Sequence, residues 1–268
     1  MQDNNSRTAR KAATAARMYD YFLGGIHNFE ADRAAADMVL RQYPSLRDAA
    51  RANRAFVVDA VRHVAGAGVR QFLDLGSGIP TVDNVHTVAR RTHPDARVVY
   101  VDIDPDAVAE SIDILGGDRH AVAIRGDVQD PEAVLGHPDV RRTLDFDAPI
   151  GLLMAAILHF IPDHATADRV AERFVAALPA GSFVVLSHTG TESFALIDRS
   201  TIDENVYQRR TSTPGTVRTR AEVERLFAGL ELVEPGVVWA QQWQAGATVT
   251  DVTPLGPGGV WAGVARKV

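Results

Sequence analysis

The stretch Val69-Arg70-Gln71-Phe72-Leu73-Asp74-Leu75-Gly76-Ser77-Gly78-Ile79-Pro80 constrains the fold more than any other part of the chain. Phe72, Leu73 and Leu75 form a short apolar run of the kind buried on both faces of a parallel sheet. It ends in Gly-Ser-Gly, where the missing Cβ atoms permit a tight turn and a close approach of backbone N–H groups to a ligand. From Thr81 to Arg91 the spacing of Val82, Val85, Val88 and Ala89 predicts a helix, with Pro80 at its first turn. Strand, glycine turn and helix open the doubly wound α/β domains that bind nucleotides. The alternative is a tight turn that holds no ligand. A dinucleotide fingerprint wants a third small residue at position 81, where this chain has Thr81. That departure points away from a pyrophosphate, hence from NAD, and toward S-adenosylmethionine.

The elements around this stretch alternate. Runs at 96–102, 121–125, 150–155 and 182–187 read as further strands, and helical patterns at 105–115, 131–135, 140–144 and 164–177 lie between them. Such an order predicts parallel strands joined by helical crossovers. The last quarter breaks it. Thr219 and Glu222 form a capping box for a short helix through Phe227. Two strand-like runs follow, Leu230 to Trp243 (kinked at Pro235-Gly236) and Val260 to Val268, with no helix between them, so they can pair antiparallel. The expected fold is α/β: a Rossmann-like, seven-stranded, mostly parallel sheet with an antiparallel C-terminal hairpin. Ahead of it, helices from Thr8 to Phe22, from Glu30 to Gln42 and from a Ser45 cap to Ala65 predict an N-terminal helical cap. We divide the chain accordingly into 1–68, the cap, and 69–268, the sheet domain.

Composition narrows the partners. The chain has 268 residues, a formal net charge of −6 and no cysteine. The charge advertises no broad phosphate-binding surface, so nucleic acid is not expected. Without cysteine there are no disulfides, thiolate zinc sites or cysteine nucleophiles, and covalent methylation of cytosine at C5 is excluded. No metal is expected. The longest apolar run, 149–162, is interrupted by His159 and is shorter than the ~18 residues of a membrane span. A polar N-terminus with no apolar core argues against a signal peptide, so a cytoplasmic location is expected. Only Lys11 and Lys267 are lysines among the basic residues, a bias that fits a bacterial gene of high GC content.

Ligands of such sheets sit beyond the carboxyl ends of the strands. The first strand delivers Gly76, Ser77 and Gly78 there. The second delivers Asp102, 26 positions after Gly76, where a carboxylate can accept from both ribose hydroxyls; Ile103 follows and suits an adenine face. Alternatively Asp102 and Asp104 belong to a solvated turn or cap the helix at Pro105. The third delivers Asp127 and Val128, an acid for the adenine amino group and an amide for a ring nitrogen, with Asp130 better placed to cap the helix at Pro131. The fourth delivers Ala156 to the pocket wall and His159, either a base or orienting group for a substrate or a buried structural histidine. Upstream, Tyr21 and the Gly24-Gly25 pair suit a segment that folds over the strand ends and closes the cofactor site; a helix C-cap with core tyrosines is the alternative. The polar segment between Ser187 and Thr219 suits a substrate lid or an exposed connection.

These pieces resemble the actinobacterial S-adenosylmethionine methyltransferase family once catalogued as a domain of unknown function. The resemblance is carried by ARMYDYFLGGIHNFEADR (16–33), ARANRAF (50–56), QFLDLGSGIPTVDNVH (71–86), ARVVYVDIDP (96–105), GDVQDPEAVL (126–135), LHFIPD (158–163), FVVLSH (183–188) and LFAGLELVEPGVV (226–238). It implies a class I methyltransferase fold and S-adenosylmethionine as cofactor, and carries over no substrate. The expectation is a methyltransferase acting on a small-molecule acceptor. A non-catalytic S-adenosylmethionine-binding or regulatory protein is the alternative, and an NAD-dependent oxidoreductase a weaker one.

Overall fold

The computed structural model describes residues 12–80, 83–194, 215–247, 249 and 258–268. Three helices come first: α1 (Ala15–Leu23), α2 (Glu30–Gln42) and α3 (Leu46–Gly66). Thr14 caps α1 by accepting from the Arg17 N–H, and Gly24 ends it in the left-handed conformation, φ 83°, which glycine adopts without a Cβ penalty. The expected start at Thr8 lies outside the described residues. Ser45 precedes α3 but makes no side-chain cap bond, because its own backbone is already helical at φ −70°, ψ −11°; a capping hydroxyl needs an extended residue.

The sheet region follows as β1 (Gln71–Leu75), α4 (Val85–Arg90), β2 (Arg97–Asp102), α5 (Pro105–Leu115), β3 (Ala121–Arg125), α6 (Pro131–Gly136), α7 (Pro138–Thr143), β4 (Gly151–Ala155), α8 (His164–Ala176), β5 (Phe183–Thr189), α9 (Arg220–Arg225), β6 (Glu231–Leu232), β7 (Val238–Trp239) and β8 (Val260–Arg266). One expectation needs correcting. The helix after the glycine turn starts at Val85, so Pro80 is not in its first turn. Asp83 has a left-handed φ of 44° and Asn84 is extended, which breaks any continuous helix from Pro80. Thr81 and Val82 lie outside the described residues. α9 carries the expected capping box, Thr219 with Glu222, and ends at Arg225 rather than Phe227.

The strand order is β3-β2-β1-β4-β5-β8-β6, with β7 also on β8. β1 to β5 run parallel, and β8 is antiparallel to β5, β6 and β7. Leu232 opposes Ala265 and Val238 opposes Ala262, so β6 and β7 succeed each other along one edge of β8. The sheet is therefore seven positions wide, its last strand interrupted around Pro235-Gly236.

Alternation along the strands builds a core on each face. Leu73, Leu75, Val99, Val101, Leu152, Met154, Val184 and Leu186 pack with Val170 and Phe174 of α8. Phe72, Val98, Tyr100, Leu153 and Val185 pack with Phe56, Ala60, Val61 and Val64 of α3. α3 thus covers the sheet directly, while α1 and α2 share a separate cluster built on Met18, Phe22, Ala36 and Val39. Among the described residues no helix is long and apolar enough to cross a membrane.

Candidate active site

Backbone hydrogen bonds stitch the carboxyl ends of the strands together. The Gly76 and Ser77 N–H groups both donate to the Val101 carbonyl, at 2.8 and 3.1 Å. The Gly126 N–H donates to the Asp102 carbonyl at 2.9 Å. Gly76 has φ 65°, and a Cβ there would lie 2.3 Å from Ile157 Cδ1, so the turn after β1 and the turn after β4 approach to a distance only glycine allows. Asp102 braces the arrangement: Oδ2 accepts from the Gly78 N–H at 2.8 Å and Oδ1 from the Asp104 N–H at 2.9 Å. Burial raises its carboxyl pKa, and those N–H groups pull it back down. Ile103 beside it is 51% exposed, an apolar face presented at the strand ends. Asp104 itself caps α5, accepting from the Asp106 N–H at 2.9 Å. Asp127 closes a local turn through the Gln129 N–H at 2.9 Å, and Asp130 caps α6 through the Ala133 N–H. Val128 is half-buried against the core.

Asp74 was not singled out from the sequence, yet it is the most perturbed carboxylate of this edge. It lies between Leu73 and Leu75 on β1, so it faces α3. Burial pushes its pKa up to about 7, Arg54 on α3 partly offsets the effect and Asp102 adds to it. An acid flanked by apolar neighbours in a strand that should be uniformly hydrophobic was the signal that could have exposed it.

The N-terminal helices lie over the same edge. Ala16 is the nearest neighbour a Gly78 Cβ would meet, at 3.8 Å, which puts α1 against the glycine turn. Arg17, buried, donates from Nε to Asp32 at 2.9 Å and from Nη1 to Asp106 at 3.0 Å, tying α1 to α2 and to the start of α5. The Tyr21 hydroxyl donates to Asp37 at 2.9 Å and its ring lies against the Arg47 guanidinium. At Gly25 the backbone passes so close to Asp20 that a Cβ would fall 2.0 Å from its Oδ1. The buried Asp20 in turn accepts from the His27 N–H and the Asn28 amide, shaping the loop that follows α1.

A buried polar chain joins this layer to the ends of β4 and β5. Ala156, at a left-handed φ of 53°, donates its N–H to the Ser187 hydroxyl at 2.9 Å. Ser187 donates to Asn53 Oδ1 at 2.6 Å, and the Asn53 amide donates to the Tyr19 hydroxyl at 3.0 Å. Ser187 therefore points toward α3, and its neighbour His188 points to the opposite face.

His159 sits in a short 3-10 turn, Leu158–Phe160, after β4. Its ring meets His188 edge-to-face with centroids 5.7 Å apart, and stacks obliquely on Phe160 at 4.2 Å. Burial lowers the His159 pKa to about 3, with His188 adding to the effect. Burial likewise lowers His188 to about 4, the Thr189 carbonyl opposing it. Both imidazoles are neutral at physiological pH. The carbonyl of His159 accepts from the Thr216 N–H at 2.7 Å, so the far end of the segment expected as a lid returns at this histidine. Residues 195–214 of that segment lie outside the described residues. No cluster of three or more His, Asp or Glu able to hold a metal occurs among the described residues.

Comparison with known proteins gives a family and two close structures. The S-adenosyl methyltransferase family matches residues 1–268. A candidate methyltransferase from Thermobifida fusca shares 40% identity over 96% of this chain and 95% of its own, with a TM-score of 0.86. A DUF574 family protein from Streptomyces avermitilis shares 38% identity over 96% and 98%, also with a TM-score of 0.86. No curated protein matches.

Proposed function

The chain belongs to the S-adenosyl methyltransferase family, and from that premise we propose that it methylates a small-molecule acceptor at the carboxyl edge of the sheet. S-adenosylmethionine, when bound, supplies a methyl group activated on a sulfonium. The residues present fit that group. Each Asp102 oxygen accepts one backbone N–H and retains a lone pair for a ribose hydroxyl. Exposed Ile103 offers a flat apolar contact for the base, and Asp127 with the Val128 amide would read its polar edge. Gly76, Ser77 and Gly78 bring backbone close to the amino-acid end. Asp74, raised to about 7 by burial, suits an ammonium, whose positive charge favours the ionised carboxylate. Ala156 would line the wall.

The observation that carries this reading is the Asp102 bridge to Gly78, which joins the acid of β2 to the glycine turn of β1, while the Asp102 carbonyl accepts from the Gly126 N–H at the end of β3. His159 would face the acceptor. With its pKa lowered to about 3 it acts as a neutral hydrogen-bond acceptor that orients the nucleophile, and most of the acceleration comes from such positioning. A net charge of −6 favours a small molecule over nucleic acid.

Calorimetry with S-adenosylmethionine, S-adenosylhomocysteine and NAD tests the cofactor pocket: binding of the first two and not of NAD is expected, and tight NAD binding overturns the reading. Incubation with methyl-labelled cofactor and fractionated bacterial extract tests transfer. Label in the small-molecule fraction is expected; label confined to macromolecules refutes the acceptor class, and binding without any transfer favours a regulatory S-adenosylmethionine binder.

A further inference from the structure

His188 has no role in the site as described, yet its surroundings are built with care. It is fully buried, at 0% exposure. Its Nδ1 lies 3.0 Å from the Thr189 carbonyl; a carbonyl only accepts, so Nδ1 carries the proton and Nε2 is left as a bare acceptor. That Nε2 is buried and has no partner among the described residues. The same is true of Nδ1 of His159, whose ring is the one 5.7 Å away. Two orphaned, buried imidazole nitrogens on touching rings are a rare arrangement, since buried polar atoms are almost always paired. One hydrogen bond between them satisfies both. An N–H···N bond of about 2.9 Å joins rings whose centroids stand about 5 Å apart, so closing it needs the two rings, now 5.7 Å apart and edge-to-face, to approach and turn their nitrogens toward each other.

We propose that His188 is a positioning residue: its Nε2 accepts a hydrogen bond from the Nδ1–H of His159 and thereby leaves the lone pair of His159 on Nε2, facing the methyl acceptor. The proposal rests on the reading above in which His159 meets the acceptor. It implies that the acceptor presents an O–H or N–H donor to a neutral imidazole. This is the logic by which a second group sets the tautomer of a working histidine, with an imidazole in the place usually held by a carboxylate.

The charges around His188 keep it in that role. Buried Arg218, held by Asp168 at 2.7 Å and by the His164 carbonyl at 3.0 Å, places a fixed positive charge near the ring and disfavours imidazolium, as does His164; Glu222 opposes them. His188 therefore stays neutral, an acceptor at Nε2 across the working pH range. A carboxylate in its place would be a buried anion and would make His159 more basic by stabilising its imidazolium. The neutral partner fixes orientation with little change in charge.

Long-range proton–nitrogen NMR of the full chain labelled with 15N-histidine reads the tautomer directly and needs no substrate. In the native chain His159 is expected with its proton on Nδ1. His188→Leu is expected to lose that signal, the proton moving to Nε2, while His188→Gln, which keeps a carbonyl acceptor, retains it. Finding His159 protonated at Nε2 in the native chain overturns the proposal without any variant. A tautomer unchanged in His188→Leu overturns it too, because the residue would then only fill space. Should His188→Leu not fold, the native spectrum and the His188→Gln spectrum decide the matter. Failure of the methyl-transfer reading itself would appear as absent S-adenosylhomocysteine binding in calorimetry or as binding with no labelled product, and leaves the tautomer measurement standing.

Discussion

Replacing Asp74 by asparagine isolates the most strained charge in the site. The folded carboxyl has its pKa raised to about 7 from the ordinary 3.8, chiefly by burial. A group whose folded pKa lies above its unfolded value is protonated in the native state at pH values where the unfolded chain has released the proton. Its stabilising contribution is therefore complete below about pH 4 and is lost as pH rises through about 7. At about 1.4 kcal/mol for each pKa unit, the shift from 3.8 to about 7 costs the native state about 4 kcal/mol of stability at pH 8 relative to a carboxyl whose pKa folding leaves unchanged. Asparagine has nearly the same shape and no charge. Asp74→Asn should be more stable than the native chain at pH 8 by an amount approaching that figure, and near-equal to it at pH 4. The difference should open between those limits. Urea unfolding at pH 4, 6 and 8 measures it, with other titrating groups common to both chains and so cancelling. A difference in unfolding free energy that stays constant with pH refutes the argument, because Asp74 would then be ionised or neutral alike in both states. The same variant should bind S-adenosylmethionine more weakly, since it has lost the anion that would face the ammonium. A stabilised protein with weakened ligand binding is what a charge held for function predicts.

Other expectations follow from single contacts. Gly76→Ala combines a left-handed backbone, ~1–2 kcal/mol, with overlap on Ile157, ~1–3 kcal/mol. Denaturation should show a loss of about 2–5 kcal/mol, with part of it recovered in the double variant with Ile157→Ala; no recovery would mean that Ile157 is not the obstacle. Asp102→Asn removes a charged acceptor, and calorimetry should show S-adenosylhomocysteine binding weakened about 10- to 100-fold, the equivalent of ~1.5–3 kcal/mol; unchanged affinity would detach this residue from the ribose. Gly25→Val drives a Cβ into Asp20, so thermal unfolding should drop along with ligand affinity; lost affinity at full stability would restore a direct ligand role for Gly25.

Much of the site was legible because its logic is local. A strand that ends in Gly-Ser-Gly, followed by an acid at the end of the next strand, needs no long-range contact to be read, and Gly76, Gly78 and Asp102 lie together as that logic requires. The alternation of strand and helix settled the parallel part of the sheet, since β1 to β5 each begin and end within about two residues of their expected limits. Tyr21 and Gly25 were harder. A tyrosine or glycine near a helix end fits a ligand wall and a packing contact equally well, and the packing partners, Asp37 and Asp20, are brought there only by the fold.

The chain's own order determined the α/β class, the reversal of direction in the last strands and the residues at the strand ends, because each follows from hydrophobic period, turn chemistry and connection length acting over a few tens of residues. Tertiary structure alone decided which side chains lost their water. Within their motifs nothing sets Asp74 or His188 apart; one becomes a destabilised acid and the other an acceptor without a donor only when α3, α8 and the ends of β4 and β5 close around them. Desolvation is a property of the whole surrounding shell, contributed by residues far apart along the chain, and a linear reading has no term for it.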